Sequence, residues 1–240
     1  MTKASASHIL RIAAAANSGS GGACLFALDT RGRLSFTSQA SPGGPWRGWQ
    51  GPKFSGQPAP AAAIAAADQN NGCLMLVLLT PGGDLWSIAQ NGPSDVWLAW
   101  QGPKIGGQHI AFKAVAASGQ VGTRGLHLMA ADVMGYVWSC HQTKPGADWS
   151  GWSNLDCIGP APRFVSELAM SGQNNGCLML FSEARGQITA LPQSSPDGAW
   201  GYWTSIGQNQ VATELASICA CQQGGWRGVQ FWGLDGAGQI

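Results

Sequence analysis

The chain is poor in charge, in tyrosine and in long apolar runs, and each shortage removes a class of function. Thirteen basic and 12 acidic residues are spread over 240, for a formal balance of +1. Nucleic-acid affinity is driven mainly by cations that neutralise backbone phosphates. These are few and scattered, so nucleic acid is not an expected partner. No run of about 18 apolar residues occurs, and no membrane insertion is expected. The start, Met1–Ala16, places Lys3 ahead of an alanine run, but Arg11 breaks it, and the stretch reads as an inner strand rather than a signal. Four histidines (His8, His109, His127, His141) belong to no metalloprotease or nucleophile-elbow motif. No cluster has metal-ligand spacing, and neither metal nor cofactor is expected.

The seven cysteines are an odd number. Cys24, Cys73 and Cys177 open apolar runs in which Leu126 and Val229 stand elsewhere, so they read as buried hydrophobes. Cys219 and Cys221 alternate along one strand face among alanines and are read the same way. Reduced thiols fit a cytoplasmic protein, or one released without a classical signal peptide. The carboxylates Asp29, Asp132, Glu183 and Asp235 fall at the exits of apolar runs, where turn formation accounts for them.

What the chain has is tryptophan, 12 copies, delivered as a repeated part. Trp46–Trp49, Trp97–Trp100, Trp149–Trp152 and Trp200–Trp203 are four Trp-x-x-Trp pairs whose first members lie 51, 52 and 51 residues apart. A sustained period near 50 signals a repeat architecture. Each copy carries an alanine-rich stretch, a polar turn, an apolar run and a glycine turn, with a glutamine seven residues beyond the glycine: Gln39, Gln90, Gln142, Gln193. A fifth apolar run, Val229–Gly233, follows without its tryptophan pair. Short apolar segments between Gly, Pro, Asn and Asp clusters predict strands, and no helical period is sustained. Four strands in about 50 residues describe a propeller blade. A β-trefoil has fewer, shorter repeats, and a parallel β-helix has a far shorter rung. The fold predicted is all-β: a five-bladed β-propeller with a shortened fifth blade. It forms one domain over 1–240, with repeats near 1–58, 59–108, 109–160, 161–209 and 210–240.

Indole faces stack on the C–H faces of sugar rings, and amides supply paired hydrogen bonds. Trp97, Trp149, Trp200, Gln90 and Gln142 are therefore candidate ligand contacts, with His141 beside Gln142. Each has a plainer reading. Tryptophan fills the wedge between blades, glutamine braces a turn, and histidine is merely solvated. Two residues three apart on a regular strand point to opposite faces, so one member of each pair is expected between blades and the other toward a rim.

The segment Asp148-Trp149-Ser150-Gly151-Trp152-Ser153-Asn154-Leu155 resembles the blade-closing motif of bacterial propeller lectins related to fucose-binding and tectonin-type lectins. Gly83-Asp84-Leu85-Trp86 and Gly135-Tyr136-Val137-Trp138 look like the strand preceding that motif. The resemblance implies sugar sites between neighbouring blades that involve Trp86, Trp138 and a member of each pair. Ser35 and Thr189 stand at the Trp86 position in the first and fourth copies, so the sites are expected to be unequal. Five-bladed sugar binders of the tachylectin type provide the ring size.

The reading is a multivalent carbohydrate-binding protein for neutral glycans. The alternative is a small-molecule cyclase or hydrolase with a single pocket that uses the unrepeated His141, Tyr136 and Tyr202. The fifth copy lacks its outermost strand, and an open strand edge invites pairing, so a homo-oligomer is expected.

Overall fold

The computed structural model describes residues 8–17, 22–50, 56–58, 60–92, 96–102, 105–120, 125–155, 161–206, 215–223, 228–237 and 239. Met1–Ser7 and the expected turn glycine Gly238 lie outside them. All regular structure among the described residues is β, in five antiparallel sheets. The first holds β1 (Ile9–Asn17), β2 (Gly22–Asp29) and β3 (Leu34–Ser38). The second holds β4 (Ala63–Asp68), β5 (Leu74–Leu79) and β6 (Leu85–Ala89). The third holds β7 (Phe112–Gly119), β8 (Leu126–Asp132), β9 (Val137–His141) and the two-residue β10 (Ser153–Asn154). The fourth holds β11 (Glu167–Gly172), β12 (Leu178–Ala184), β13 (Gln187–Pro192) and β14 (Thr204–Ser205). The fifth is the hairpin β15 (Leu215–Gln222) and β16 (Val229–Asp235). Where the first two sheets lack a fourth strand, the isolated bridges Phe36–Gln50 and Ser87–Gln101 occupy its place.

Each sheet packs through its inner strand on the next: β1 on β4, β4 on β7, β7 on β11 and β11 on β15. Alternation along each strand divides its residues between the two seams. In the second sheet Ile64, Leu74, Leu76 and Leu78 face the first, while Ala65, Ala67, Met75, Val77 and Leu79 face the third. The inner strands meet around a channel of about 530 Å³ walled by Ala14–Ala16, Ala66, Ala67, Ala117 and Ala220. The alanine content follows from this crowding. Among the described residues no comparable packing joins β15 back to β1, so the inner strands form an arc with one open side.

Two devices fasten each sheet to its neighbour. At one end, the turn glycines lie against the incoming next inner strand. A Cβ on Gly83 would sit 2.9 Å from the Phe112 nitrogen, and its φ of 88° is unsuited to other residues. The Phe112 amide donates to the Gly83 carbonyl there at 3.0 Å. The carboxylates that precede these turns brace them, as expected. Asp29 Oδ1 accepts from the amides of Arg31 and Arg33, Asp132 Oδ1 from Met134 and Tyr136, and Asp235 Oδ1 from Ala237 and Gln239. At the other end runs a belt of amides. Asn70 donates to the Gln120 carbonyl, Gln120 Nε2 to the Gly176 carbonyl at 3.0 Å, and Gln222 Nε2 to Asn174 Oδ1 at 2.8 Å.

Two expectations need correcting. Both members of a Trp-x-x-Trp pair face the same seam, toward the preceding sheet. Trp97 and Trp100 pack with the first sheet's core, Trp149 and Trp152 with the second's, and Trp200 and Trp203 with the third's. The segment makes a single bridge at its first tryptophan and then leaves strand geometry, so alternation does not apply. Cys219 and Cys221 share one strand face, but that face is exposed: Ile218 and Ala220 take the side packed on the fourth sheet, and no described sheet covers the other. Cys24, Cys73 and Cys177 are buried as expected, although their register differs from the sequence alignment. The glutamine side chains accept from the amides of Ala23, Leu74, Leu126 and Leu178, so Cys24 aligns with Met75, His127 and Met179.

Candidate sugar-binding seam

The repeated glutamines are structural braces. Gln90 Oε1 accepts from the Leu74 amide at 2.8 Å, and Gln142 Oε1 from the Leu126 amide at 3.2 Å. Gln142 Nε2 donates onward to the Ala147 carbonyl at 3.0 Å. Both are buried, and each fixes the segment that presents the following tryptophan, since Gln90 bridges Trp97 and Gln142 bridges Trp149.

Trp97, Trp149 and Trp200 are half-buried, each laid over the seam with the preceding sheet. What lies beneath differs. Under Trp97 is Phe26, edge-on at 5.9 Å between ring centroids. Under Trp149 is the apolar cluster of Met75, Val77 and Leu85. Under Trp200 is a histidine: His127, edge-on at 5.5 Å.

His127 and His141 are directly opposed on β8 and β9, with ring centroids 5.4 Å apart. His127 Nε2 is 2.8 Å from Ser139 Oγ, and His141 Nδ1 is 3.3 Å from Ser150 Oγ. His127, Ser139 and His141 share the β-sheet face turned to the fourth sheet, where Met129 and Val137 pack beside them. His127 and Ser139 are buried, while His141 keeps part of its surface open. The corresponding pairs in the other sheets are Cys24 with Ser38, Met75 with Ala89, and Met179 with Pro192. Of the four corresponding pairs, only this one consists of two imidazoles, and one of them meets the tryptophan of its seam. Cys140, on the opposite face, donates to the Ser150 carbonyl, and burial pushes its thiol up to about 12, where it is no nucleophile.

Trp86 and Trp138 lie elsewhere. They occupy one position on β6 and β9 and are half-buried, and Trp138 packs on the same apolar cluster as Trp149, at the seam between the second and third sheets. Gly102 abuts the Trp86 ring, at 2.8 Å from a would-be Cβ. Trp138 Nε1 donates to Asp132 Oδ2 at 3.0 Å, which ties that indole to its own turn. The structure therefore gathers His141 and Trp200 at the seam between the third and fourth sheets, and Trp138 and Trp149 at the seam between the second and third.

Sequence reading missed His127, Ser139 and Ser150. Counting outward from the turn at 132–136 pairs 127 with 141 only once the register of that hairpin is known. Ser150 was out of reach of the sequence, because it arrives through the irregular Trp-x-x-Trp segment.

No family model matches the sequence, and no curated relative matches it. Solved structures do resemble the fold. AofleA from Arthrobotrys oligospora superposes with a TM-score of 0.65 at 12% identity, over 95% of this chain and 66% of that one. A six-bladed β-propeller lectin from Aleuria aurantia, described with its fucose recognition, gives 0.64 at 15% over 96% and 74%. The BP39L lectin from Burkholderia pseudomallei gives 0.61 at 21% over 82% and 55%. This chain thus spans about two thirds of AofleA and little over half of BP39L. At such identities the likeness is one of fold: this chain has the β-propeller fold seen in these lectins.

Proposed function

We propose that this chain is a carbohydrate-binding protein whose most selective site is the seam between the third and fourth sheets. The observation that carries this is His127 in ring contact with both Trp200 and His141, with Ser139 and Ser150 in hydrogen-bond reach of the two imidazoles. An indole face offers a stacking surface for sugar C–H groups, and the exposed part of His141 offers a directional partner for a hydroxyl. His127 and Ser139 sit behind and orient it. Low net charge suits neutral glycans. The Aleuria and BP39L proteins are lectins, and one related lectin was solved with α-methyl fucoside, which makes fucosylated glycans the first class to try.

Trp97, Trp149, Trp86 and Trp138 provide weaker and unequal secondary sites, because their seams present apolar groups or turn braces. Several weak sites gain avidity when they engage one glycosylated surface together. The five sheets are five blades, the fifth short, in the manner of small tachylectin-type rings. The exposed faces at the two ends of the arc favour self-association, which light scattering at micromolar concentration tests. A clean 25 kDa monomer would end the oligomer reading.

The test of function is a broad glycan array with wild-type chain and the variants His141→Ala and Trp200→Ala. Binding of a defined set of neutral glycans, weakened about tenfold or more in both variants, supports the seam. Absence of any glycan binding by the folded wild type overturns the reading.

A further inference from the structure

The inner strands have unlike ends, and the channel lies at only one of them. The amide belt of Asn70, Gln120 and Gln222 rings one. At the other, Arg11 of β1 reaches toward Glu167 of β11, with Nη2 and Oε1 3.1 Å apart. These strands belong to the first and fourth sheets, which are not neighbours: β1 packs on β4, and β11 packs on β7 and β15. The repeat does not require this pair. In the two other sheets that carry the same bulge, Ala114 and Ser217 stand where Arg11 stands. Among the described residues the first sheet has a packed neighbour on one side only, so a contact across the axis bears directly on where it sits.

We propose that Arg11 and Glu167 form a strut that fixes the first sheet across the axis and that releases it in mild acid. Burial holds the Glu167 carboxyl up, to about 6, against the pull of Arg11, and the nearby charge of Glu183 adds to the rise. Among the described residues Arg11 is the cation whose charge acts on it. From β12 comes Glu183, which accepts from the Gly186 amide at 2.7 Å and from the Ser166 hydroxyl. Lys113 on β7 is exposed to solvent at its bulge. On β8, Asp132 is committed to its turn and His127 to Ser139. β15 brings only the thiols of Cys219 and Cys221.

The sign of the linkage separates this device from ordinary acid unfolding. A carboxyl raised in the folded protein takes its proton more readily there than in the unfolded chain, where the value is 4.5. Acidification through about 6 toward 4.5 therefore adds to global stability through this group, while the strut loses its charge. One sheet loosens as the fold as a whole is not weakened by Glu167. Release widens the open side of the arc. This inference is independent of the sugar reading.

Hydrogen exchange on the full chain, corrected for the intrinsic rate, reads it directly at about pH 7.5 and about pH 5. The expected result is a loss of protection of about tenfold or more for the β1 amides on acidification, with β5 and β8 unchanged. Glu167→Gln, neutral at both values, should show the loosened β1 at both. Equal protection of β1 in wild type at the two pH values overturns the strut. So does a Glu167→Gln variant that retains the wild-type pH dependence. The wild-type comparison does not need the variant to fold.

Discussion

The first sheet and the second present the same residues to opposite fates. Ile64 and Ile12 hold one position on their inner strands, yet Ile64 is 8% exposed and Ile12 is 58%. The tryptophan pairs divide in the same way. Trp152 and Trp203 are each 7% exposed, while Trp46 and Trp49 are 49% and 52%. The difference is the neighbour. Trp-x-x-Trp and the inner-strand isoleucine both belong to the face that meets the preceding sheet. The second, third and fourth sheets have one; the first, among the described residues, does not. The repeat therefore encodes a seam rather than a buried residue, and a sequence position names a face before it names an environment.

The sharpest way to break this comparison is to truncate equivalent tryptophans. Trp152 packs on Phe112 at 4.7 Å and donates to the Ile105 carbonyl at 2.7 Å, so Trp152→Ala should cost about 3–5 kcal/mol in urea unfolding. Trp49→Ala should cost about 0.5 kcal/mol or less. Equal losses would mean that the first sheet is covered after all. The isoleucines repeat the contrast at smaller scale: Ile64→Ala should lose about 2–4 kcal/mol and Ile12→Ala about 0.5. A buried brace comes next. Gln142→Ala leaves the Leu126 amide without its acceptor and should cost about 1–3 kcal/mol, with sugar binding altered only through the tilt of the segment that carries Trp149. The smallest effect belongs to the thiols. Cys73→Val should change stability by under about 1.5 kcal/mol. In the native state a thiol reagent should reach Cys219 and Cys221 well before Cys24, Cys73 and Cys177; reversed order would contradict the exposure of the β15 face.

Much of this architecture was legible because it is periodic. Strand order, the alanine-walled axis, the turn carboxylates and the buried cysteines all follow from patterns that recur every 50 residues. Three things were not legible. The direction of the tryptophans depends on a segment that leaves strand geometry after one bridge, so alternation gave the wrong face for one member of each pair. The exposure of Cys219 and Cys221 depends on which sheet faces β15, and periodicity places residues on faces without saying whether a face is covered. The His127 partner was hidden because the apolar runs align one residue out of register, which made Leu126 stand opposite the cysteines. Once the glutamine braces set the register, the histidine falls where Cys24, Met75 and Met179 fall in the other sheets, and the departure becomes visible as a departure.

The central claim is that this non-repeated seam is where the chain selects a sugar. It is tested most directly by calorimetric titration of the glycan that binds wild type best, repeated on His141→Ala after thermal unfolding shows that variant folded. The account predicts loss of the tightest class of site, by about tenfold or more in affinity, with weaker sites persisting. Unchanged affinity and stoichiometry in His141→Ala would contradict it.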